Sequence, residues 1–344
     1  ILLLGTKLNK SLYFRSMTEE AKIEAIQQEL LLFRKRKIGF VWFQVLLTLG
    51  GLYGTILWGF FAFDTHPLTI VISVPLTTVF MCRSYVLLHD CGHRSLFKST
   101  KLNELVGHLM GFGILIPHSL WQFIHDSHHK NVGNLEQRAF NPEIWTLTKK
   151  EFMAAGFWKR TAYRFMRSRW TRFSLTPTVN LGLMFRLVST KFSKAANTSV
   201  IVHDIAYGVI VYNLLQVFPW FQCLILLYFP LVLFYFIASY TFYAQHQFEN
   251  TYWESASEWD YAKASFLGAS CIEAPRWYRF LTGNVIYHNL HHLQSGIPFY
   301  QLHKAHLFLK SKYHYPCYTL RQVWKMLDAK VWDEEQKRLV PFPR

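Results

Sequence analysis

The sequence predicts an all-α membrane protein, and three observations carry that prediction. Of the 344 residues, 51% are hydrophobic and 17% aromatic, and several apolar runs are long enough to cross a bilayer. Lys and Arg are absent from the links within each pair of runs and abundant outside them, as in cytosolic loops. Half of the sixteen histidines lie in short clusters. We therefore expect residues 1–344 to form one membrane domain, although the length would also suit two soluble domains.

The net charge of +16 does not indicate a nucleic-acid partner. In a membrane protein the same excess of Lys and Arg faces the anionic lipids of the cytosolic leaflet, so membrane lipids are the expected partner. The five cysteines show no CxxC pair and no framework spacing, and we expect them to be reduced thiols. They are Cys82, Cys91, Cys223, Cys271 and Cys317.

The first segment, residues 1–37, is predicted to be an interfacial region with one amphipathic helix. Residues 16–19 fit a capping box at its start. An apolar stripe then follows one helix face. Its residues are Ile23, Ile26, Leu30 and Phe33. The basic cluster 34–37 directly precedes an apolar run, which is typical of the cytosolic end of a spanning helix.

Four spanning helices are expected to form two hairpins. The first hairpin, residues 38–88, consists of spans 38–63 and 66–88, joined by a link without Lys or Arg. Arg83, near the end of the second span, is expected to extend its guanidinium group to the interface. The second hairpin, residues 199–244, contains neither Lys nor Arg in its spans or its link. Both hairpins therefore begin and end on one side with both termini, and we expect that side to be cytosolic.

Two cytosolic regions complete the predicted topology. Residues 89–198 hold two histidine clusters and a basic loop, and 102–124 within them is expected to be an interfacial helix or a re-entrant segment. Residues 245–344 are expected to form a helical cap with the third cluster. Thr282-Gly283-Asn284 is predicted to form a turn and helix cap just before that cluster.

The histidine clusters repeat spacings of three and four residues. They are His89 and His93; His125, His128 and His129; and His288, His291 and His292. On a helix these spacings bring the imidazoles to one face, and neutral imidazole suits transition metals. Eight or nine such donors exceed the four that one zinc takes. We therefore expect the cytosolic cap to carry a polyhistidine di-metal site.

The type of donor bears on the chemistry. An imidazole-rich pair of irons suits O2 activation, because neutral donors leave the metals electrophilic, and a membrane setting implies a hydrophobic substrate. Carboxylate-bridged di-iron bundles use Glu-x-x-His motifs, which the sequence lacks. The second class of function to consider is a non-redox metal protein, either a zinc membrane hydrolase or a metal transporter. A transporter would place its histidines within the spans, and a hydrolase would need fewer ligands.

The three clusters resemble the histidine boxes of the membrane fatty acid desaturase superfamily. The resemblance is closest to its acyl-lipid Δ12/ω6-type branch, which the residues 282–284 before the third box and 296–300 after it also resemble. It extends from about residue 38 to 305. Carried over position by position, it implies nine metal ligands, of which His246 is the one outside the boxes. The set is His89, His93, His125, His128, His129, His246, His288, His291 and His292. Asp90 and Asp126 follow box histidines and are candidates for orienting imidazoles.

The same resemblance implies an O2-dependent enzyme that introduces a cis double bond into a long acyl chain. It implies two iron ions as cofactor, with zinc able to replace them in overexpressed protein, and a long-chain acyl lipid as substrate. Electrons would come from a separate ferredoxin or cytochrome b5. A carotenoid ketolase or hydroxylase, or another di-iron lipid hydroxylase, is the nearest alternative.

Other histidines lie outside the box pattern. His303 and His306 are expected at the surface, because both follow the third box. His203-Asp204 is an ionisable pair near the start of the third span, where a functional role and an interfacial structural role are equally compatible with the sequence.

Overall fold

Helices make up most of the structure, a computed structural model that describes residues 18–66, 68–138, 146–171, 173, 179, 182–328 and 330–343. In chain order the described helices are α1 (Glu19–Leu30), α2 (Ile38–Ala62), α3 (Leu68–Gly92), α4 (Thr100–Phe112), α5 (His118–Asn131), α6 (Lys149–Ala154), α7 (Phe157–Met166), α8 (Lys194–Val217), α9 (Trp220–Cys223), α10 (Phe229–His246), α11 (Tyr261–Leu267), α12 (Arg276–Leu281), α13 (His288–Leu293), α14 (Phe299–Lys310) and α15 (Leu320–Met326). A π-helical turn, Leu224–Tyr228, joins α9 to α10.

Four of the described helical segments are long and apolar enough to cross a membrane. They are α2, α3, α8 and the continuous stretch Trp220–His246. The prediction of an all-α membrane protein with four spans is therefore confirmed. Their arrangement as two hairpins and the cytosolic position of the cap stay predictions.

The second span, α3, is the most buried of the four, and α8 is the most exposed. α3 contacts α2 through a hydrogen bond between the hydroxyls of Thr77 and Thr55 at 3.0 Å. It contacts the fourth span through Thr78, whose hydroxyl donates to the carbonyl of Pro230. The largest hydrophobic cluster includes residues of all four spans and of α4 and α5. This packing fixes the end of α3, where the first histidine cluster begins.

Arg83 does not extend to the interface as predicted. Its side chain is buried and donates to the Gln44 side chain and the Phe280 carbonyl, each at 2.8 Å. The guanidinium group also lies over the rings of Phe280 and Phe299. These contacts satisfy the charged group inside the protein, so that snorkelling is unnecessary. Arg83 thereby connects α2 and α3 to Phe280, before the third histidine cluster, and to Phe299, after it.

The stretch predicted as one interfacial or re-entrant segment, 102–124, consists of two helices. α4 ends at Phe112, and α5 begins after Pro117, which fits a helix start because it lacks an N–H to donate. Leu115, between them, has a positive φ of 58°. The turn places the start of α5 so that the second histidine cluster comes under the end of α3.

The N-terminal helix α1 begins at Glu19, and the capping box predicted over residues 16–19 lies partly outside the described residues. Thr18 caps it by accepting a hydrogen bond from the backbone N–H of Ala21, whereas Ser16 lies outside the described residues. Ile23, Ile26 and Leu30 are buried in a cluster with residues of α13 and α14, which confirms the apolar stripe. α1 thus packs against the helices of the third histidine cluster, and its predicted place at the membrane interface stays a prediction.

Short strands close the C-terminal region. β1 (Ile272–Glu273) pairs in parallel with β2 (Tyr318–Thr319), and β3 (Val331–Asp333) pairs in antiparallel with β4 (Arg338–Val340). Next to the first pair, Cys271 and Cys317 form a disulfide, so the prediction that all five cysteines are reduced is wrong. The two cysteines are 46 residues apart, so their spacing does not predict the disulfide. The pairing of β1 with β2 brings them together. Cys82, Cys91 and Cys223 are free and buried.

Candidate metal centre

The histidines come together from four places in the chain. His89 is near the end of α3, and His93 lies just beyond it. α5 carries the second cluster on its buried face, α13 carries the third, and His246 is the last residue of α10. The helical period explains why the histidines within one cluster converge, because spacings of three and four residues place side chains on one helix face.

The imidazoles form two groups of four. The first consists of His89, His93, His125 and His291, and the second of His128, His246, His288 and His292; in each group the candidate donor atoms lie within 4.8 Å of one another. The first group draws on all three boxes. The second draws on two boxes and on the end of the fourth span. The sequence predicted this set of histidines as ligands, and the fold determines which of them lie in the same group.

The second group is a closed ring of Nε2 atoms. His128 Nε2 lies 3.1 Å from that of His246 and 3.2 Å from that of His292. His288 Nε2 closes the ring at 2.9 Å from His246 and 3.0 Å from His292. Four nitrogens bound at about 2.1 Å to one ion lie roughly 3.0–3.4 Å apart. The spacing of this group therefore fits a ligand set.

His129 lies beside both groups. Its Nε2 is 3.2 Å from that of His125 and 3.3 Å from that of His291, and its ring stacks on His292 with centroids 4.0 Å apart. It can therefore add a fifth nitrogen to the first group.

Hydrogen bonding alone does not explain the ring of four. A neutral imidazole nitrogen either carries a proton and donates, or lacks one and accepts. Each Nε2 of the second group nevertheless lies near two others. If alternate members carry a proton, two N–H groups can make only two of the four contacts hydrogen bonds. The other two contacts bring nitrogens together with no proton between them, which is costly in a buried site. A cation in the centre removes that conflict, so the donor set fits a metal.

Burial keeps the imidazoles neutral. For the histidines of the centre that lie outside the membrane spans, the pKa is well below the usual value of histidine. Desolvation is the larger cause, and repulsion from neighbouring imidazoles is the second. These histidines are His93, His125, His129, His288, His291 and His292. A neutral imidazole is the form that binds a transition metal, so the site does not have to lose protons before it is filled.

Two of the histidines have a polar partner at Nδ1. Asp90 is buried, its Oδ1 lies 3.3 Å from His89 Nδ1, and its Oδ2 accepts the backbone N–H of Phe299 at 2.7 Å. His246 Nδ1 lies 3.1 Å from the carbonyl of Gly268. Each Nδ1 can donate its proton to that partner, which leaves Nε2 as the lone-pair atom. His89 Nε2 is buried and finds no hydrogen-bond partner among the residues that the structure describes, as expected of an atom aimed at a metal.

The other sequence-predicted residues have different outcomes. Asp126 is exposed, so its role in orienting an imidazole stays a prediction. The prediction that His306 lies at the surface is wrong: it is buried, with Nδ1 at 3.0 Å from the Tyr315 hydroxyl. His203 and Asp204 both contact Arg186, which favours the structural reading of that pair.

Several residues of the site were not found by sequence analysis. Trp121 stacks on His125 with ring centroids 4.4 Å apart, one helical turn before it. The predicted turn 282–284 is present, with positive φ at Gly283 and Asn284, but Tyr287 rather than Asn284 is the cap residue of α13. A Cβ at Gly283 would lie 2.3 Å from Val86, so glycine allows the third box to approach α3. Trp121 could have been suspected from its spacing to His125.

A narrow apolar cavity reaches both groups. His89 and His125 of the first group and His288 of the second form part of its wall. The remaining wall comes from α3, α10 and the segment before the third box: Cys82, Tyr85, Val86, Phe234, Ile237, Ala238, Thr241, Phe242, Gln245, Leu281, Thr282 and Val285. A concave wall with few polar groups is typical of a site for an apolar ligand.

Four apolar spans and two histidine groups beside an apolar cavity define a metal-binding membrane protein. The chain belongs to the fatty acid desaturase family, whose model matches residues 65–324. It is 31% identical over 295 residues to the "Fatty acid desaturase" of Bacillus subtilis (strain 168), covering 83% of this chain and 82% of that protein. The chain is therefore an oxidoreductase that acts on acyl chains. The predicted resemblance of its histidine boxes to those of the desaturase superfamily is confirmed.

Relatives named for acyl-lipid substrates are also similar. An "sn-1 oleoyl-lipid 12-desaturase" of Synechocystis sp. (strain ATCC 27184 / PCC 6803 / Kazusa) is 26% identical over 314 residues, covering 85% of this chain and 82% of that protein. An "sn-1 acyl-lipid omega-3 desaturase (ferredoxin)" of the same organism is 28% identical over 262 residues, covering 72% of this chain and 69% of that protein.

Proposed function

We propose that the protein is an O2-dependent acyl-lipid desaturase that introduces a cis double bond into a long acyl chain at a histidine-held di-iron centre. The observation that carries this proposal is the apolar cavity with histidines of both groups in its wall. An acyl chain in the cavity would lie against both groups at once. That arrangement supports removal of two hydrogens from adjacent carbons more directly than hydrolysis, which needs a water position at one metal.

We assign one metal to each group of four histidines and His129 to the first. Two irons held there would supply O2 activation, the chemistry that an unactivated C–H bond requires. The chain's own residues position the parts. Asp90 and the Gly268 carbonyl would hold the Nδ1 protons of His89 and His246, so that both Nε2 atoms face inward.

The cavity would hold the substrate and keep water away. Its wall runs along α10 from Phe234 to Gln245, about 16 Å at 1.5 Å per helical residue. Tyr85, Phe234 and Phe242 supply flat apolar surface against which methylene groups pack. The side-chain NH2 of Gln245 donates to the carbonyl of Val285 at 3.0 Å, which fixes this polar side chain in the cavity wall. The side chains midway along this wall would set how far an acyl chain enters.

Electrons would come from a separate carrier, a ferredoxin or a cytochrome b5. Arg94 and Lys130 are exposed, and both are near enough to Asp126 to act on its carboxyl group. Each lies one residue from a histidine of the first group. This positive surface would favour docking of an acidic carrier, and the name of one relative includes ferredoxin. The loops and both termini would then face the cytosol.

Ala238→Phe is expected to shorten the acyl chain that the enzyme accepts. Ala238 lies midway along the cavity wall, where a phenyl ring would fill the space needed by the distal part of a long chain. One methylene in an apolar pocket changes discrimination by about 10–200-fold, so the ratio of turnover on long to short acyl chains should fall at least about tenfold. Competition between labelled C14 and C18 acyl lipids in membranes measures that ratio.

Leu233→Phe is the matched control, because Leu233 lies on the same helix and is exposed. It should leave the ratio unchanged. An unaltered ratio in a well-expressed Ala238→Phe variant would mean that the acyl chain does not occupy this cavity.

A further inference from the structure

A second cluster of reactive side chains lies away from the cavity. Cys271 and Cys317 are joined by a disulfide beside the β1–β2 pair. Cys271 is 1% exposed, whereas Cys317 is partly exposed and lines a surface groove with residues of α1 and α14. Only one of the two sulfurs can therefore be approached from solvent. The groove wall next to it includes Lys310, Lys312 and His314.

A buried histidine contacts the inner sulfur. His306 Nδ1 lies 3.7 Å from Cys271 Sγ and 3.0 Å from the Tyr315 hydroxyl. Burial lowers the pKa of His306 to about 4, and the charges of His303 and Arg279 act in the same direction. The imidazole is therefore neutral at neutral pH. In the tautomer with its proton on Nε2, the single Nδ1 lone pair can accept an S–H from Cys271 once the disulfide is reduced, while the Tyr315 hydroxyl donates to the His306 carbonyl.

The disulfide is attached to the segment that supports the metal centre. Ser270, directly before Cys271, accepts the backbone N–H groups of His288 at 3.0 Å and Asn289 at 3.2 Å. Ile272, directly after it, donates its N–H to Ile286 at 2.9 Å. Three residues before Cys271, the carbonyl of Gly268 faces His246 Nδ1. Residues 268–272 thus hold two members of the second histidine group, and Cys317 anchors this segment.

We propose that Cys271 and Cys317 are a thiol–disulfide exchange site for small thiols entering by the groove, and that its state sets how firmly residues 268–272 hold His246 and His288. This goes beyond the desaturase activity, and its second half rests on the proposed metal centre. The oxidised form clips the segment to β2 and retains metal. The reduced form loosens the segment and releases metal faster.

The exchange balances with a thiol of the glutathione type. Its sulfur, as thiolate, attacks Cys317 Sγ, forms a mixed disulfide there and breaks the Cys271–Cys317 bond. The expelled Cys271 sulfur takes the proton that the attacking thiol gave up. A second small thiol then attacks the mixed disulfide, leaving Cys317 as a thiol and releasing the small-molecule disulfide. Two electrons and two protons pass to the protein, and glutathione disulfide reverses both steps.

Differential alkylation of the full-length protein tests the site itself. After purification in air, the denatured wild type should expose only Cys82, Cys91 and Cys223 to maleimide, and all five cysteines after treatment with reduced glutathione. With glutathione disulfide, Cys271→Ser should form a mixed disulfide at Cys317. Cys317→Ser should leave Cys271 unmodified, because that sulfur is buried. Five free thiols in air, or equal modification of the two variants, would overturn the proposal.

Loss of iron to a ferrous chelator tests the coupling. Reduced wild type and Cys317→Ser should lose iron about tenfold faster than oxidised wild type. Loss of a ligand's hydrogen-bond partner lowers metal affinity by about 10–100-fold, and we expect the lower end of that range. Cys223→Ser is the matched control and should behave as wild type in both redox states. Equal rates would overturn the coupling. A zinc ion held by reduced Cys271, Cys317 and His306, and lost in Cys317→Ser, would overturn the exchange site. Neither readout uses desaturation, so failure of the proposed function is seen separately.

Discussion

Replacing His246 with alanine is expected to abolish desaturation as completely as replacing His128 or His291. His246 Nε2 lies 3.1 Å from that of His128 and 2.9 Å from that of His288, so it is as central to the second group as any box residue. Loss of a ligand should cost more than the roughly 10–100-fold that loss of a ligand's hydrogen-bond partner costs. Turnover of labelled acyl lipid in membranes should therefore fall by more than about 100-fold.

His66→Ala is the control for this series, because His66 is exposed on the link between the first two spans. It should retain wild-type turnover. Protein level and iron content must be measured in every variant, since ligands without metal can destabilise the fold. Near-normal turnover in a well-expressed His246→Ala variant would reduce the ligand set to the eight box histidines.

Filling the centre with zinc alone is expected to preserve the fold and remove all activity. Imidazole binds both metals, so zinc should occupy the same nitrogens and protect the protein against thermal unfolding as iron does. Zinc has no redox chemistry, and O2 would not be activated. Activity and melting temperature of iron-loaded, zinc-loaded and chelator-treated protein would be compared. Full activity of the zinc form would exclude the di-iron proposal.

Much of this fold is readable from the sequence. The spans follow from apolar runs without charge, and α1 follows from the stripe of Ile23, Ile26 and Leu30, all of which are buried. The histidine boxes are visible because helical spacing is local and needs no tertiary information. His246 was assigned only through the family resemblance, since a lone histidine after a span has no pattern of its own.

The features that sequence analysis missed depend on long-range contacts. Whether His291 belongs with His89 or with His288 depends on how α13 packs beneath α3, which no spacing encodes. Arg83 was expected at the interface, yet Gln44 and Phe280 satisfy it inside the protein. Cys271 and Cys317 meet only because β1 and β2 pair, and the same packing buries His306.

Locating the new double bond tests the central claim most directly. Membranes containing the wild type would be incubated with a uniformly labelled long-chain acyl lipid, a reduced ferredoxin and O2, with His291→Ala membranes as the blank. The account predicts one new cis double bond at a single position, formed only with O2 and absent from the blank. A hydroxylated or keto product, or a shortened or hydrolysed lipid with no new double bond, would contradict it.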